Sequence, residues 1–301
     1  MEVVKLKPGI KDYIWGGTYF KKFNKGTSYQ RVSECWELSI RDDVSSIIDS
    51  GINKGKLLKD VITNKDIGPV MDRFPYFPLL IKLIDAKENL SVQVHPSDEY
   101  ALKNENSFGK SEMWHIISAD ENSGLYVGLN KDYKKEDIEK ALEKGNILDC
   151  LNFFKVKPGD TFVITPGTIH AIGKGVRLIE IQQNSNLTYR LYDYNRVDQN
   201  GHPRELHIKK SLEVIDLRQY KKSQSNSEYL ADNQYFTVKK VVFNGELKIT
   251  ANENSFVSFT FLDGEGLVND ISYNQYDTFF LPYQKECLIK GKGTLIISSV
   301  R

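Results

Sequence analysis

Alternation between apolar and polar residues is the main pattern along this chain. It is plain in five segments, residues 90–96, 123–129, 177–183, 188–194 and 235–243. Successive side chains of a β-strand point to opposite faces, so each segment predicts a strand with one buried face. A helical period is present at only three places, residues 56–62, 136–151 and 207–216. The chain is therefore predicted to be mainly β, with a few helices.

A polar run over residues 221–233 is typical of a linker. We therefore predict two domains, residues 1–220 and a smaller one at 221–301. The two parts share an internal repeat: Asp-Thr-Phe occurs at residues 160–162 and again at 277–279, and each copy is followed by a proline. Four residues after that proline stands His170 in the first copy and Glu286 in the second. We interpret the repeat as a duplicated β-unit.

Composition and charge limit the kinds of molecule that the protein is expected to bind. The 301 residues carry 41 basic and 40 acidic side chains, a net charge of +1, so no broad electrostatic field is available to hold nucleic acid or a membrane surface. The three cysteines are odd in number and far apart, which favours a reducing compartment over a disulfide framework. No apolar stretch has the length of a signal peptide or a membrane span. We expect a cytoplasmic protein that acts on a small molecule.

Candidate metal ligands occur in three segments. Gln93 and His95 are two residues apart, so on a strand they share a face. Glu112 follows seventeen residues after His95, and His170 comes just after a Pro-Gly turn. Two nitrogen and two oxygen ligands suit zinc or a similar divalent ion of the first transition row. The second copy of the repeat has no histidine, because the last of the five is His207, so the smaller domain is expected to lack metal ligands.

The other histidines are assigned to structure. His115 lies three residues from Glu112 and is interpreted as a structural residue. His202 and His207 follow the turn signal Asn200-Gly201 and are interpreted as loop residues.

Several motifs resemble one enzyme family. Residues 158–173, which include His170, resemble the second cupin motif, and residues 91–96 with Glu112 resemble the first. The segments at 91–96, 109–114 and 166–171, the spacing from Glu180 to Arg190, and the N-terminal segments 15–17 and 35–37 resemble type I mannose-6-phosphate isomerase. The likeness extends from about residue 4 to 215 and is weaker beyond.

This resemblance implies a fold, a cofactor and an activity. It implies two cupin-type β-barrels and one zinc ion per chain, held by Gln93, His95, Glu112 and His170. It also implies an active-site role for Arg190, whose guanidinium would stabilise the enediolate formed between an aldose and a ketose phosphate. The expected reaction interconverts mannose 6-phosphate and fructose 6-phosphate.

The remaining roles are assigned from position. Ser91 and Lys110 each lie two residues before a metal ligand, so on extended strands they face the same cavity and are candidates to bind phosphate. Glu180 is the preferred general base, with Lys110 and a zinc-bound water as alternatives. Other functions stay open: a cupin isomerase of the phosphoglucose type, an iron dioxygenase, and a non-catalytic sugar-binding cupin. Whether the protein is a monomer or a homodimer also stays open.

Overall fold

A computed structural model describes residues 1–197, 201–222, 228–251 and 253–301. Thirteen strands precede residue 193, and they are β1 (Val4–Lys7), β2 (Gly9–Lys11), β3 (Glu34–Leu38), β4 (Ile47–Ile48), β5 (Leu79–Ala86), β6 (Val92–Val94), β7 (Glu112–Ala119), β8 (Gly124–Leu129), β9 (Leu151–Lys155), β10 (Thr161–Ile164), β11 (His170–Ile172), β12 (Val176–Gln183) and β13 (Tyr189–Tyr192). Six more follow, and they are β14 (Tyr229–Asp232), β15 (Phe236–Thr250), β16 (Val257–Val268), β17 (Ile271–Tyr273), β18 (Thr278–Leu281) and β19 (Glu286–Val300). The mainly β prediction is confirmed.

The strands form three antiparallel sheets. A six-stranded sheet has the order β10-β7-β12-β5-β3-β2, and a five-stranded sheet has the order β13-β6-β11-β8-β9. The third sheet has the order β14-β15-β19-β16-β18-β1-β4, with β17 paired to β16. This last sheet combines the C-terminal strands with two strands from the start of the chain. Val4 of β1 pairs with Phe280 of β18, and both side chains are buried in one core cluster.

The six-stranded sheet is buried on both faces. On one face, Leu178 of β12 packs in a core with Leu125 of the five-stranded sheet. On the other, Ile179 packs in a core with Phe236 and Phe280 of the C-terminal sheet. Adjacent residues of β12 therefore face opposite cores, as the two-residue period of a strand requires. The central sheet is thus the common wall between the two halves of the fold.

The helices are few and short: α1 (Leu58–Val61), α2 (Asn64–Ile67), α3 (Asp98–Glu105), α4 (Lys135–Glu143) and α5 (Ile208–Val214). Short 3-10 helices lie at Tyr19–Phe23, Pro69–Asp72 and Ile147–Cys150. None of the helices in the described part of the chain has the length and apolar character needed to cross a membrane.

Two predictions about local structure need correction. The predicted helix over residues 136–151 ends at Glu143, because Gly145 takes a left-handed conformation (φ 70°), and the strand β9 begins at Leu151. The predicted linker over 221–233 contains the strand β14, which pairs with β15. Residues 223–227 of that linker lie outside the described residues. The pattern also missed α3, although Ser97 accepts a hydrogen bond from the Tyr100 amide as an N-cap does.

The internal repeat has a structural counterpart. Asp160 and Asp277 each accept a hydrogen bond from the backbone N–H three residues earlier, at 2.9 Å and 2.7 Å. A strand begins directly after each aspartate, β10 in one copy and β18 in the other. His170 and Glu286 then each begin the next strand. The two copies share a strand–turn–strand unit, and only the first carries an imidazole at the start of its second strand.

Candidate metal centre and active site

Three side chains from separate strands converge at one buried point. His95 follows β6, Glu112 begins β7 and His170 begins β11, and their ligand atoms all lie within 4.8 Å of one another. The two carboxylate oxygens of Glu112 lie 3.2 Å from His170 Nε2 and 3.6 Å from His95 Nε2. All three residues are buried. A group of this kind can hold a metal ion.

The imidazoles are oriented by backbone carbonyls behind them. His95 Nδ1 lies 2.9 Å from the Leu187 carbonyl oxygen, and His170 Nδ1 lies 2.8 Å from that of Thr168. In each ring Nδ1 carries the proton and donates it, so Nε2 presents its lone pair to the centre. This arrangement fixes the tautomer and aims the ring, as it does in histidine ligands of metal ions.

Burial keeps both imidazoles neutral. It lowers the pKa of His170 to about 3, and burial followed by the charge of Lys110 lowers the pKa of His95 well below its usual value. Neutral imidazole is the form that binds a metal ion. Burial has the opposite effect on Glu112 and raises the pKa of its carboxyl group to about 8, because the loss of water around the charged form outweighs the attraction of Lys110 and Lys82.

The carboxylate of Glu112 also supports a cation at this point. Its Oε1 atom is buried and has no hydrogen-bond partner among the described residues, although it lies 3.2 Å from the lone pair of His170 Nε2. When Glu112 is ionised, this distance brings two acceptors together, an arrangement that a positive ion between them stabilises. The donor set therefore fits a divalent cation.

Gln93 and Lys110 adjoin the three ligands. Gln93 is paired with His170 across β6 and β11, and its side-chain amide lies 3.3 Å from His170 Nε2. The Lys110 ammonium donates to Glu112 Oε2 and lies 3.2 Å from His95 Nε2. All four predicted ligands and Lys110 thus meet at one place, and Lys110 supplies positive charge there in the structure.

A cavity of about 400 Å³ opens beside the centre, and four of the predicted residues line it: Ser91, Lys110, Glu180 and Arg190. Gln93 also lines it. Arg190 Nε lies 3.3 Å from Ser91 Oγ, and its Nη1 donates to the Glu205 carbonyl oxygen at 2.8 Å. Among the described residues no carboxylate lies within ion-pair distance of Arg190. Its charge therefore remains available to an anionic group in the cavity.

Glu180 belongs to a buried network that sequence reasoning missed. Its carboxylate accepts a hydrogen bond from Trp114 Nε1 at 2.8 Å and pairs with Lys82 Nζ at 3.2 Å. Lys82 also lies 3.6 Å from Glu34, which accepts from Trp36 Nε1 at 2.7 Å. The signal for Lys82 was present, since it is the one lysine in the apolar strand β5. Its partners come from β3 and β12, which the pattern alone does not bring together.

Two positive side chains determine the charge of this network. Burial alone would raise the pKa of Glu180, but Lys110 and Lys82 outweigh it and lower that pKa to about 2. The carboxylate of Glu180 is therefore ionised at neutral pH. Arg204, which the sequence analysis also missed, lines the same cavity and pairs with Asp193 at 2.6 Å.

The remaining histidines lie away from the metal ligands. His115 faces away from Glu112 on β7, and its Nδ1 lies 2.8 Å from Thr161 Oγ1. His207 immediately precedes α5, where its Nδ1 accepts from the Arg190 amide at 3.2 Å and its own amide donates to the Arg190 carbonyl oxygen. His202 is described and exposed, whereas Asn200 of the predicted turn lies outside the described residues.

Fold and site define a mainly β protein with a buried His-Glu-His group that can hold a metal ion beside a polar cavity. Comparison with known proteins is more specific. Residues 3–134 match the family model described as phosphomannose isomerase type I, catalytic domain. The mannose-6-phosphate isomerase ManA of Bacillus subtilis is 37% identical over 99% of this chain and 98% of that protein. The mannose-6-phosphate isomerase of Streptococcus mutans is 33% identical over 91% and 89%.

The structural comparison agrees. The crystal structure of the mannose 6-phosphate isomerase from Bacillus subtilis superimposes with a TM-score of 0.86 at 34% identity, and 99% of each chain is covered. This chain belongs to the type I phosphomannose isomerase family. The family resemblance inferred from the motifs is confirmed.

Proposed function

We propose that the protein is a zinc-dependent aldose–ketose isomerase that interconverts mannose 6-phosphate and fructose 6-phosphate. The observation that carries the proposal is the juxtaposition of the His95, Glu112 and His170 group with a cavity that contains the guanidinium of Arg190, which has no ion-pair partner among the described residues. Membership of the family, whose relatives are named mannose-6-phosphate isomerases, supports the substrate.

The proposed metal is one zinc ion per chain, with Gln93 as the fourth ligand. Two neutral imidazoles, a carboxylate and an amide oxygen are a ligand set that zinc accepts. When bound, zinc supplies a Lewis acid that polarises the substrate carbonyl. The carbonyl groups of Leu187 and Thr168 hold His95 and His170 in the tautomer that carries its proton on Nδ1. Both Nε2 lone pairs are therefore directed at the centre.

Arg190, Ser91 and Lys110 are proposed to receive the substrate's negative charge. Arg190 would stabilise the enediolate oxygen, because a guanidinium stays charged and presents its donors in a fixed plane. Ser91 is hydrogen-bonded to Arg190, so it would orient the guanidinium as well as contact the phosphate. Lys110 has its ammonium at the border between the metal ligands and the cavity, where it can reach a phosphate oxygen.

Glu180 is the proposed base that moves the proton between C1 and C2. It is ionised and lines the cavity, and Trp114 and Lys82 hold its carboxylate in place. A carboxylate of such low pKa is a weak base, so its contribution depends on accurate positioning next to the C–H bond. Lys110 is the alternative. Loss of C1 and C2 proton exchange with solvent in Glu180→Gln, with metal content unchanged, supports Glu180; exchange at the wild-type rate transfers the role to Lys110.

The architecture proposed for this function is two cupin-type barrels, with the catalytic domain at 1–220 and the domain without metal ligands at 221–301. The mainly β sheets and the repeated strand–turn–strand unit support it, although β1 and β4 pair within the C-terminal sheet. We propose a cytoplasmic protein that acts as a monomer or homodimer. The three cysteines, which are all free and buried, agree with a reducing compartment.

One experiment tests the activity. Purified protein of known metal content is incubated with fructose 6-phosphate, and the products are separated and identified. Mannose 6-phosphate as the product, with loss of activity on chelation and recovery with zinc, supports the proposal. Glucose 6-phosphate would identify an isomerase of the phosphoglucose type, and unchanged substrate with measurable binding would identify a sugar-binding protein. Iron in place of zinc together with oxygen consumption would identify a dioxygenase.

A further inference from the structure

A second cavity has none of the metal ligands in its lining. Its volume is about 760 Å³, compared with about 400 Å³ for the cavity beside the metal ligands. It is formed where β1 and the segment after the Tyr19–Phe23 3-10 helix meet β16, β19 and the turn before β18. It therefore lies where the start of the chain joins the C-terminal sheet, and it shares no lining residue with the first cavity.

Ion pairs fix the inner part of this cavity. The buried Lys25 pairs with the fully buried Glu37 at 2.7 Å. Lys5 pairs with Asp277 at 2.6 Å and donates to the Ser272 carbonyl oxygen at 3.2 Å. Each inner lysine has its own carboxylate, so these pairs hold the wall in shape and leave little net charge there.

The rim of the cavity carries surplus positive charge. Lys7, Lys22 and Lys292 line it and are exposed, and among the described residues no carboxylate lies within ion-pair distance of any of them. Of the rim acids, Asp49 pairs with Lys54, which leaves Glu265 as the opposing charge in the lining. Three lysines from β1, the 3-10 helix and β19 thus line one opening, and the Lys22 ammonium lies 4.0 Å from the centre of the Tyr19 ring, which leaves its charge without a carboxylate. Ammonium groups arranged in this way attract an anion and hold phosphate as point charges.

Neutral polar groups complete the lining. The side chains of Asn24, Asn274 and Gln275 contribute amides, and Phe23 contributes an apolar surface. Amides and carboxylates provide paired donors and acceptors that suit hydroxyl groups. We propose that this second cavity binds a small organic phosphate that carries several hydroxyl groups, of the polyol phosphate class, with Lys7, Lys22 and Lys292 holding its phosphate. The proposal concerns a site apart from the proposed active site and does not rest on the proposed reaction.

The variants that test it must spare the buried wall. Strand β3 directs Glu34 and Trp36 to the first cavity, whereas its Glu37 pairs with Lys25 at the second. Changes to Lys25 or Glu37 would therefore disturb both sites. Lys22 and Lys292 are exposed, so Lys22→Glu with Lys292→Glu reverses the rim charge at little cost to folding. The control is Lys21→Glu with Lys290→Glu, which makes the same charge change on the same elements outside the cavity. It also removes the hydrogen bond from Lys21 to the Tyr29 carbonyl oxygen and the ion pair of Lys290 with Glu246, so it is the more disturbing of the two changes for the fold.

The experiment is a calorimetric titration of the full-length, metal-loaded protein with sorbitol 6-phosphate, an acyclic polyol phosphate. We expect the wild type and the control variant to bind one equivalent of sorbitol 6-phosphate that the cavity variant does not bind. If the cavity variant still binds this equivalent, its Kd should be at least about tenfold higher. The kcat and KM of the isomerase reaction should be the same in all three. The uncharged pair Lys22→Gln with Lys292→Gln should lose affinity in the same direction, and it provides the test if the reversed pair does not fold.

The outcomes separate the two sites. If the active site did not bind sugar phosphates at all, the wild type would still bind one equivalent and the cavity variant none. Equal stoichiometry and affinity in the wild type, control and cavity variant would refute the second site. Inorganic phosphate bound as tightly as sorbitol 6-phosphate would overturn the assignment to a polyol phosphate, because the amides would then contribute no affinity.

Discussion

Replacement of Arg190 by alanine tests whether this arginine has a catalytic or only a structural role. In the structure its guanidinium makes hydrogen bonds to Ser91 Oγ and to the Glu205 carbonyl oxygen, and among the described residues it has no carboxylate within ion-pair distance. It is half-buried and lines the cavity beside the metal ligands. A positive charge without a partner in such a position is suited to a negative charge that develops during the reaction.

A catalytic role and a structural role of Arg190 predict losses of different size. Loss of one well-placed donor to a developing oxyanion costs about 2.7–4 kcal/mol, or about a hundredfold to a thousandfold in turnover. Loss of two hydrogen bonds of a partly exposed side chain lowers the free energy of unfolding by about 1–3 kcal/mol. The variant should therefore remain folded and keep its metal while most of its turnover disappears.

Steady-state kinetics with metal analysis and thermal unfolding measures each quantity. Arg190→Lys should recover little activity, because an ammonium does not reproduce the planar donors of a guanidinium. Arg196→Ala is the matched control: Arg196 donates to the Asn89 carbonyl oxygen and pairs with Asp193, but it does not line the cavity. Turnover of Arg190→Ala within about threefold of the wild type would refute the catalytic role.

Two further predictions concern the site and a third concerns His115. His170→Ala should lose most of the bound metal, because its Nε2 is one of the three clustered donors; metal near one equivalent by mass spectrometry would remove His170 from the ligand set. Lys110→Ala should raise the Kd for sugar phosphates by about tenfold or more while the affinity for a phosphate-free inhibitor that binds the metal stays the same; equal losses measured by inhibition kinetics would show that Lys110 acts on the metal site instead. Burial lowers the pKa of His115 to about 4, so the unfolded chain binds a proton on this imidazole at higher pH than the folded chain. Its contribution to stability should be complete above about pH 6.5 and be lost as the pH falls towards about 4; urea unfolding of His115→Gln should show a shallower loss than the wild type over this range, and identical slopes would contradict the assignment.

Alternation and local motifs determined much of the fold and the chemistry. The five segments with a two-residue period all contain strands, because successive side chains of a strand point to opposite faces. The expectation of one buried face is wrong for β12, which packs against a core on each face. The prediction that Gln93 and His95 point to the same face came from the same two-residue period. The repeated unit was visible because Asp-Thr-Phe occurs in both copies, and the structure adds that each aspartate accepts a hydrogen bond from the amide three residues earlier.

Only the tertiary structure decided which distant residues meet. Glu34, Lys82 and Glu180 stand on three strands, and a sequence pattern records that each is charged but not that they neutralise one another when buried. Arg190 reaches Ser91 across 99 residues of chain.

The N-terminal strands show the same limit at the level of sheets. Residues 1–220 form one predicted domain, yet β1 and β4 pair within the C-terminal sheet. Hydrogen bonds between strands use backbone groups that every residue carries, so the sequence specifies that β1 needs a partner without specifying which one. That pairing brings Lys7 and Lys22 to the same cavity as Lys292, which most of the chain separates from them, and in the sequence all three are ordinary surface charges.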